Sequence, residues 1–341
     1  MSALRIVQYF DSVSAQSLSE KLLHSIYTES ELKVKIPDNF NHEYLKFILF
    51  VLLEDVPLAR LAVYENKYIT HAGKRVLIIG NFECTDNHFA ATRIFKEAAV
   101  FATKYAYSFV IGPINGSTWD NYRLPVENEY PLFFSEDQFK NYYIDLFTSN
   151  GYKVVTEYYS TLISDLHTII FNKNKSREKF FIESGFQVRG ISKDHFKQDV
   201  ELIYTFSMQA FSQNYLFSPV SKSYFISKYL PFKDLIDPEY CLLVFDKVGE
   251  LVCFFFCLPD IRNREEKTLI VKTIAGKPGR EYAGLSAWLF QLIIEKAIQH
   301  KYTRVINAFM HKNNMSLNIS RKFHAEVIRT YQLYIKNMDP L

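Results

Sequence analysis

The stretch "KTLIVKTIAGKPGREYAGLSAWLFQLIIEKA", residues 267–297, decides the fold of this chain. It opens with a β-rich run and continues into a loop with three glycines, Lys277 and Arg280. Apolar residues then recur at the helical period, at Leu285, Trp288, Leu289, Leu292 and Ile293. The pattern predicts a strand, a loop and a helix. Two interpretations of the loop stay open: a polar turn with solvated charges, or a phosphate-binding loop whose backbone N–H groups and helix dipole attract an anion.

The elements around this stretch form a recognisable series. Before it, "YCLLVFDKVGELVCFFFCL" (240–258) is two β-rich runs joined by a turn, which predicts a hairpin. After it come a strand at 303–310, a short helix at 313–323 and a last strand at 326–335. A short strand and a helical region precede the hairpin.

The amino-terminal half repeats the series about 195 positions earlier, which indicates two copies of one architecture. Its hairpin is "YLKFILFVLLEDVPLARLAVY" (44–64), and its third strand and long helix lie at 74–83 and 88–105. The polar stretch "NKNKSREKF" (172–180) is the natural linker. We therefore predict an α+β fold of α/β three-layer type, with domains at 1–172 and 173–341, each a mostly antiparallel mixed sheet flanked by helices.

Composition narrows the class of protein. Hydrophobic residues make up 48% of the 341 residues and charged residues 23%, which predicts a folded globular chain. The formal net charge is +3 and no basic stripe is present, so we expect no nucleic-acid partner. Four cysteines show no metal-ligand spacing, and we predict no metal. The longest apolar runs are shorter than the roughly 18 residues that span a bilayer, and the chain opens on polar sequence, so we expect a cytoplasmic protein.

The order of elements resembles the GCN5-related N-acetyltransferase (GNAT) superfamily, and looks most like the bacterial proteins with two such domains in tandem. The most specific match is "YTRVINAFMHKNNMSLNISRKFHAEVIRTYQLY", residues 302–334. In that superfamily the loop after the third long strand carries Arg/Gln-x-x-Gly-x-Gly/Ala, and its amides bind the pyrophosphate of acetyl-CoA or a longer acyl-CoA. Here the matching positions are Glu281, Gly284 and Ser286, and Glu281 departs from the pattern.

The resemblance implies a cofactor site in the second domain. A backbone amide on the preceding strand holds the acyl carbonyl in the superfamily, and Ile274 is the best match. Lys277 and Arg280 supply positive potential in place of Glu281. The amides predicted to contact the diphosphate are those of Ala283, Gly284, Leu285 and Ser286.

The corresponding loop of the first domain is "FECTDNHFAA" (82–91), which has no glycine. Asp86 or Asn87 is an ordinary N-cap for the following helix. Glu83 and Asp86 place negative charge where phosphates would bind, and two like charges about 4 Å apart repel by roughly 4 kcal/mol at an effective dielectric of 20. We predict that the first domain is degenerate for CoA binding and serves as a structural or acceptor-binding half.

For the chemistry, the superfamily supplies an Asn and a Tyr near the cofactor thiol. The Asn is matched by Asn314 or its neighbour Asn313, whereas Ser320 occupies the Tyr position. Tyr331 or an ordered water is the substitute proton donor. His311 is the candidate base because imidazole titrates near physiological pH, and a structural histidine fits that position equally well.

The segment "GPINGSTWDNYRLPVENEYP" (112–131) has no hydrophobic period and is predicted to be a long loop. Such a loop either packs the two domains together or lines a pocket. The residues that we assign to an acceptor pocket are Asn115, Trp119, Asp120, Tyr122 and Arg123.

These features favour an acyl-CoA-dependent N-acyltransferase, most simply an N-acetyltransferase, acting as a monomer or homodimer on an amine of a small molecule or peptide. The alternative is a catalytically silent GNAT-fold binding or scaffolding protein, which Glu281 and Ser320 favour. A third hypothesis, a ligase that uses aminoacyl-tRNA, is disfavoured by the near-neutral charge.

Overall fold

The computed structural model describes residues 4–126, 130–169, 175–263 and 265–338. Within them the chain forms two compact units. The first takes in the described residues of Met1–Glu157, Tyr215–Ser218 and Thr330–Leu341, and the second takes in those of Tyr158–Asn214 and Pro219–Arg329. The predicted domain boundary at 172/173 lies outside the described residues and stays a prediction.

The amino-terminal part of the chain follows the predicted series. Its elements are β1 (Leu4–Tyr9), α1 (Ser12–Ile26), α2 (Glu29–Val34), β2 (Leu45–Leu53), β3 (Val56–Tyr64), β4 (Thr70–His71), β5 (Lys74–Cys84), α3 (His88–Lys104), β6 (Phe109–Gly112), β7 (Leu124–Pro125), α4 (Tyr143–Ser149) and β8 (Lys153–Ile163).

The carboxyl-terminal part repeats the series. Its elements are α5 (Lys175–Glu183), β9 (Gln187–Gly190), α6 (Phe196–Ala210), α7 (Lys222–Tyr229), β10 (Leu242–Phe245), β11 (Leu251–Pro259), β12 (Thr268–Gly276), α8 (Leu285–Gln299), β13 (Arg304–His311), α9 (Ser316–Lys322) and β14 (Glu326–Asn337). Helix α5 occupies part of the stretch that the sequence predicts to be a linker.

In the first unit the strands are ordered β1-β2-β3-β5-β6-β14, with β4 on β5 and β7 on β14. All neighbours are antiparallel except β5 and β6, which are parallel. Helix α3 covers this sheet because Ala91, Ile94 and Phe95 lie on one face at helical spacing and are buried in its core.

In the second unit the order is β8-β13-β12-β11-β10-β9, and only β12 and β13 are parallel. Helix α8 packs on its sheet through Leu285, Leu289 and Ile293, which repeat at helical spacing in the core. The β10–β11 hairpin turns at Gly249 with φ 83°, a conformation that glycine adopts without strain. The predicted class, a mostly antiparallel mixed sheet flanked by helices, is confirmed.

Two strands cross from one unit to the other along the chain. Strand β8 begins in the first unit and ends in the second, where it pairs with β13. Strand β14 begins in the second unit and ends in the first, where it pairs with β6. Each unit therefore contains a strand segment from the other half of the sequence.

Candidate functional site

The loop between β12 and α8 is exposed, and α8 begins without a side-chain cap. Its N-cap is Gly284, in the left-handed region at φ 88°. Inside the loop the Ala283 amide donates to the Arg280 carbonyl at 3.2 Å, and the Leu285 amide donates to the Tyr282 carbonyl at 3.0 Å. These two predicted phosphate donors are therefore already hydrogen-bonded within the loop.

Other amides at the start of α8 lack a backbone acceptor. Within the described residues, the amides of Gly284, Ser286 and Ala287 donate to no backbone carbonyl. N–H groups that have no intrahelical acceptor, at the positive end of a helix dipole, are suited to binding an anion. The donors available to a phosphate thus include the predicted Gly284 and Ser286, together with Ala287, which the sequence comparison did not single out.

The charges around the loop are mixed. Lys277 Nζ lies 3.0 Å from the Glu250 carboxylate, a hydrogen bond that raises the pKa of Lys277 and offsets its charge. The Glu281 carboxylate folds back over Gly279, with both oxygens 2.8 Å from where a Cβ on that glycine would lie. Arg280 is exposed and forms no ion pair with a described residue.

A further cation, which the sequence analysis did not predict, lies beside this loop. The Arg177 Nε atom is 3.7 Å from the position that a Cβ on Gly284 would occupy. Helix α5 brings it there because Phe181, one turn later, stacks on Trp288 of α8 with ring centroids 5.5 Å apart. The available signal was the apolar "FFI" at 180–182 inside an otherwise polar stretch, which indicates a packed helix rather than a solvated linker.

Strands β12 and β13 separate before the loop. Their parallel pairing runs from Thr268↔Arg304 to Val271↔Asn307 and stops there, although both strands continue. At the point of separation β12 carries a β-bulge, because Thr273 and Val271 face consecutive residues of β11. Beyond Val271 the side of β12 that faces β13 therefore has no described strand paired with it, and this unpaired stretch is referred to as the gap.

Ile274 presents its amide to this gap. The Lys277 amide donates to Val252 of β11 at 2.8 Å, so the Lys277–Val252 pair is hydrogen-bonded. Hydrogen-bonded and non-hydrogen-bonded pairs alternate in an antiparallel ladder. With Ile274 opposite Phe255, the Ile274 N–H and C=O point away from β11 toward the β13 side. That orientation suits the predicted acyl-carbonyl donor.

The predicted catalytic residues of the second unit lie on β13 and α9. The His311 ring packs edge-on against Tyr158 at 5.0 Å, and its Nδ1 accepts from the Asn313 amide at 3.3 Å. Asn314 Oδ1 accepts from the Ser316 amide, which shapes the turn before α9.

Ser320 is buried and hydrogen-bonded. Its hydroxyl accepts from Asn307 Nδ2 at 3.1 Å, and it lies 3.6 Å from the Met310 sulfur. Tyr331 belongs to the first unit, where its hydroxyl donates to the buried Glu136 carboxylate at 2.6 Å. The structure therefore groups His311, Asn314 and Ser320 at the end of β13, in the turn that follows and in α9, and it assigns Tyr331 to the first unit.

The predicted acceptor-pocket residues all lie in the first unit. Asn115, Tyr122 and Arg123 line one small pocket there. Asp120 instead holds the loop together, accepting from Asn41 Nδ2 at 2.9 Å and from the Ser117 hydroxyl at 2.8 Å. Trp119 donates through its indole to the Ser218 carbonyl at 2.9 Å. Residues 127–129 of the predicted loop lie outside the described residues.

Behind this pocket runs a buried ionic network that the sequence did not predict. Arg60, fully buried, bonds both oxygens of Asp38, at 2.5 and 2.8 Å. Lys35 Nζ lies 2.8 Å from Glu83 and 3.7 Å from Asp137. Burial opposes the charge on Lys35, yet Glu83 and Asp137 raise its pKa.

Comparison with known proteins finds similar folds. No family model matches the chain, and no curated protein matches it. A probable N-acyltransferase from Enterococcus faecalis V583, a conserved protein of unknown function, has a similar structure, with a TM-score of 0.58 at 9% identity over 98% of this chain and 73% of that one. A tandem GNAT protein from the clavulanic acid biosynthesis pathway gives a TM-score of 0.52 at 11% identity over 99% of this chain and 100% of that one.

The GCN5-related glucosamine N-acetyltransferase region of a fungal multi-domain GH3 β-N-acetylglucosaminidase gives a TM-score of 0.55 at 9% identity. It covers 98% of this chain, which spans 38% of that protein. At these identities the likenesses show the fold. The chain folds like these tandem GNAT structures, which confirms the predicted architecture.

Two features of the described residues bear on partners. No grouping of three or more His, Cys, Asp or Glu side chains suited to a metal ion occurs among the residues described. Over the same part of the chain, none of the helices combines the length and apolarity needed to cross a bilayer.

Proposed function

We propose that this chain is an acyl-CoA-dependent N-acyltransferase whose second unit holds the acyl donor and whose acceptor is an amine of a small molecule or peptide. The observation that carries the proposal is the gap beside β12. The Ile274 amide faces it, and the chain then runs into a helix that starts at an uncapped glycine. Both features supply backbone donors to a ligand rather than to the protein.

Each part of an acyl-CoA has a partner in this arrangement. The diphosphate lies against the amides of Gly284, Ser286 and Ala287, and Arg177 and Arg280 add positive charge. The thioester carbonyl accepts from the Ile274 amide, which also stabilises the oxyanion formed when the amine attacks. Acetyl-CoA is the simplest donor, and a longer acyl-CoA presents the same groups.

The site has fewer side chains suited to proton transfer than backbone groups suited to binding the acyl donor. The amine must lose a proton, and the His311 imidazole, partly exposed at the end of β13, is the proposed base. The thiolate must gain one. Ser320 is enclosed and already bonded to Asn307, so a water molecule is the better donor.

A silent relative that only binds a ligand is the second candidate. The observation that favours it is the Glu281 carboxylate folded over Gly279, together with the neutralised charge of Lys277. Both lower the positive potential of the loop. Binding of acyl-CoA without any transfer to an amine would support this candidate.

Calorimetry with acetyl-CoA and longer acyl-CoAs tests the proposal, with Gly284→Glu as the informative variant. A carboxylate near the diphosphate costs several kcal/mol, so we expect at least about a 100-fold loss of affinity. Gly249→Glu is the matched control. It has the same left-handed backbone, at φ 83° against 88°, and no atom lies within 4 Å of its Cβ position.

Two results would contradict the proposal. If the folded wild-type protein binds none of the acyl-CoAs, the enzyme assignment is removed. If Gly284→Glu binds as tightly as Gly249→Glu does, the loop is not where the diphosphate lies.

A further inference from the structure

Strand β12 has an extra residue at the gap. Val271 and Thr273 face consecutive residues of β11, so Lys272 is inserted between them. Val271 lies in the core that α8 and α9 cover. Because side chains alternate along a strand, Lys272 projects from the opposite face of the sheet, where it is partly exposed. The gap therefore has an amine on the face away from these two helices.

Strand β13 has a bulge at the same level. Its pairing with β8 shifts between Asn307 and Met310, and Phe309 within the shift has a left-handed backbone at φ 59°. A bulky residue rarely adopts that conformation, and such outliers recur at functional sites. The Ser160 hydroxyl of β8 accepts from the Phe309 amide at 3.2 Å and holds the bulge. Because Met310 approaches Ser320 of α9, its neighbour Phe309 projects from the face away from that helix.

The Lys272 side chain crosses the gap to this ring. Its Nζ lies 4.8 Å from the centroid of the Phe309 ring, and an ammonium over an aromatic face is attracted by the ring quadrupole. If each bulge is counted as a single position, Phe309 stands one step beyond the last residue of β13 that pairs with β12, and Ile274 stands two steps beyond the last such residue of β12. One step is about 3.3 Å. The Lys272 side chain therefore spans the gap at about the level of the Ile274 amide, the proposed partner of the acyl carbonyl.

The candidate base lies on the same face of the sheet. His311 follows Phe309 by two residues on β13, so alternation points both side chains the same way. The His311 ring is partly exposed and packs edge-on against Tyr158 at 5.0 Å. Since imidazole exchanges protons near neutral pH, this face combines an amine with a group suited to deprotonate it.

We propose that Lys272 is itself an acyl acceptor, and that the second unit acylates this lysine from its own bound acyl-CoA. This inference rests on the proposed function, because the donor must bind at the gap. The ammonium gives one proton to the base, and its nitrogen attacks the thioester carbonyl. The C–N bond forms, the C–S bond breaks, and the nitrogen gives up a second proton. The thiolate takes up one proton and leaves as CoA, so one proton is released for each acyl group transferred.

Peptide mass spectrometry of the full-length protein incubated with acetyl-CoA tests this inference. Lys267 is the matched control, because its Nζ lies 4.4 Å from the Tyr302 ring centroid, yet it precedes β12 at the end away from the gap. Lys267 is also the more exposed lysine, so uncatalysed acetylation favours it. We expect Lys272 to be acetylated at least about tenfold faster than Lys267. The rate should saturate with acetyl-CoA and should not depend on protein concentration.

Two variants sharpen the assignment. Lys272→Arg keeps a cation over Phe309, and the acetylated species should disappear from the mass spectrum of the whole protein. Ile274→Pro removes the amide that stabilises the oxyanion, so acetylation of Lys272 should slow at least about tenfold while that of Lys267 stays the same. An unchanged rate at Lys272 in folded Ile274→Pro overturns the inference.

Calorimetry with acetyl-CoA separates failure of this inference from failure of the proposed function. If acetyl-CoA binds and Lys272 is acetylated no faster than Lys267, the inference is overturned and the proposed function stands. A rate at Lys272 that rises with protein concentration also overturns it, because the acyl group then comes from another molecule. If acetyl-CoA does not bind, both are overturned.

Discussion

The side of β5 that faces β6 in the first unit and the side of β12 that faces β13 in the second occupy the same place in the two series of elements, and the carboxyl-terminal parts of these two edges are occupied differently. On β5 the Asn81 amide donates to the Asn115 side chain and the Cys84 amide donates to the Tyr143 hydroxyl. On β12 the Ile274 amide faces a gap and has no described partner. The amides of one edge donate to protein side chains, and the Ile274 amide of the other does not.

The helix that follows each edge shows the same contrast. Helix α3 begins at Asn87, whose side chain accepts from the Ala90 amide at 3.0 Å. Helix α8 begins at Gly284, which has no side chain to cap it. The two units share one architecture and differ in these backbone N–H groups. In the first unit they donate to protein side chains, and in the second they have no such acceptor among the described residues. This difference supports the prediction that only the second copy takes an acyl-CoA.

The largest expected effect comes from breaking the ionic network that fills the first unit. Lys35→Met leaves the Glu83 carboxylate, 3% exposed, without its ammonium partner. Removing one member of a buried pair costs about 3–5 kcal/mol. We expect the free energy of unfolding of the first unit to fall by that amount.

Tryptophan fluorescence measures this unit separately, because Trp119 lies in the first unit and Trp288 in the second. Urea unfolding in a Trp288→Phe background follows Trp119 alone. The control is Lys46→Met, which removes an exposed pair with Glu65 and should cost no more than about 1 kcal/mol. Equal costs for the two variants would mean that the network does not stabilise the first unit.

The next effect is smaller and concerns the helix cap. Asn87→Ala removes the side chain that bonds the Ala90 amide, and loss of such a cap costs about 1 kcal/mol. We expect that loss in the first unit, by the same fluorescence measurement. Asn87→Asp retains a capping oxygen and serves as the control. Because the edge of β5 stays occupied, neither variant should gain affinity for acyl-CoA, and a gain in Asn87→Ala would show that the cap alone excludes it.

Much of this contrast could be predicted from sequence, because it rests on local patterns. The helical period of 285–293, the hairpins and the glycine at 284 depend on near neighbours, and the fold followed from their order. The absence of glycine in 82–91 also predicted that the first unit differs. Asn87 was among the two residues predicted to cap α3, and it does so.

The remaining features depend on contacts between distant parts of the chain. Arg177 reaches Gly284 only because Phe181 stacks on Trp288, more than 100 positions away. Lys35 and Glu83 form an ion pair although they are 48 positions apart in the sequence. The sequence around either residue contains no pattern that indicates a buried ion pair. The amides of Ala283 and Leu285, which were predicted to bind phosphate, donate instead to carbonyls within the loop. These bonds depend on the geometry of the turn, which residue types do not specify. The catalytic and cofactor roles of the named residues stay predictions.

The smallest effect tests the open edge itself. Ile274→Pro removes the Ile274 N–H, which faces the gap, without removing a hydrogen bond to β11. If that amide holds the acyl carbonyl, the variant should lose about 0.5–1.5 kcal/mol of the preference for acetyl-CoA over CoA, roughly two- to twelvefold in the ratio of their affinities. Calorimetry with both ligands gives this ratio without a known acceptor. Ile274→Val keeps the amide and should leave the ratio unchanged, whereas Ala275→Pro removes a bond to β11 and should destabilise the sheet. A ratio in Ile274→Pro equal to that in Ile274→Val would mean that the carbonyl is held elsewhere, and the contrast between the two edges would then lie in the helix starts alone.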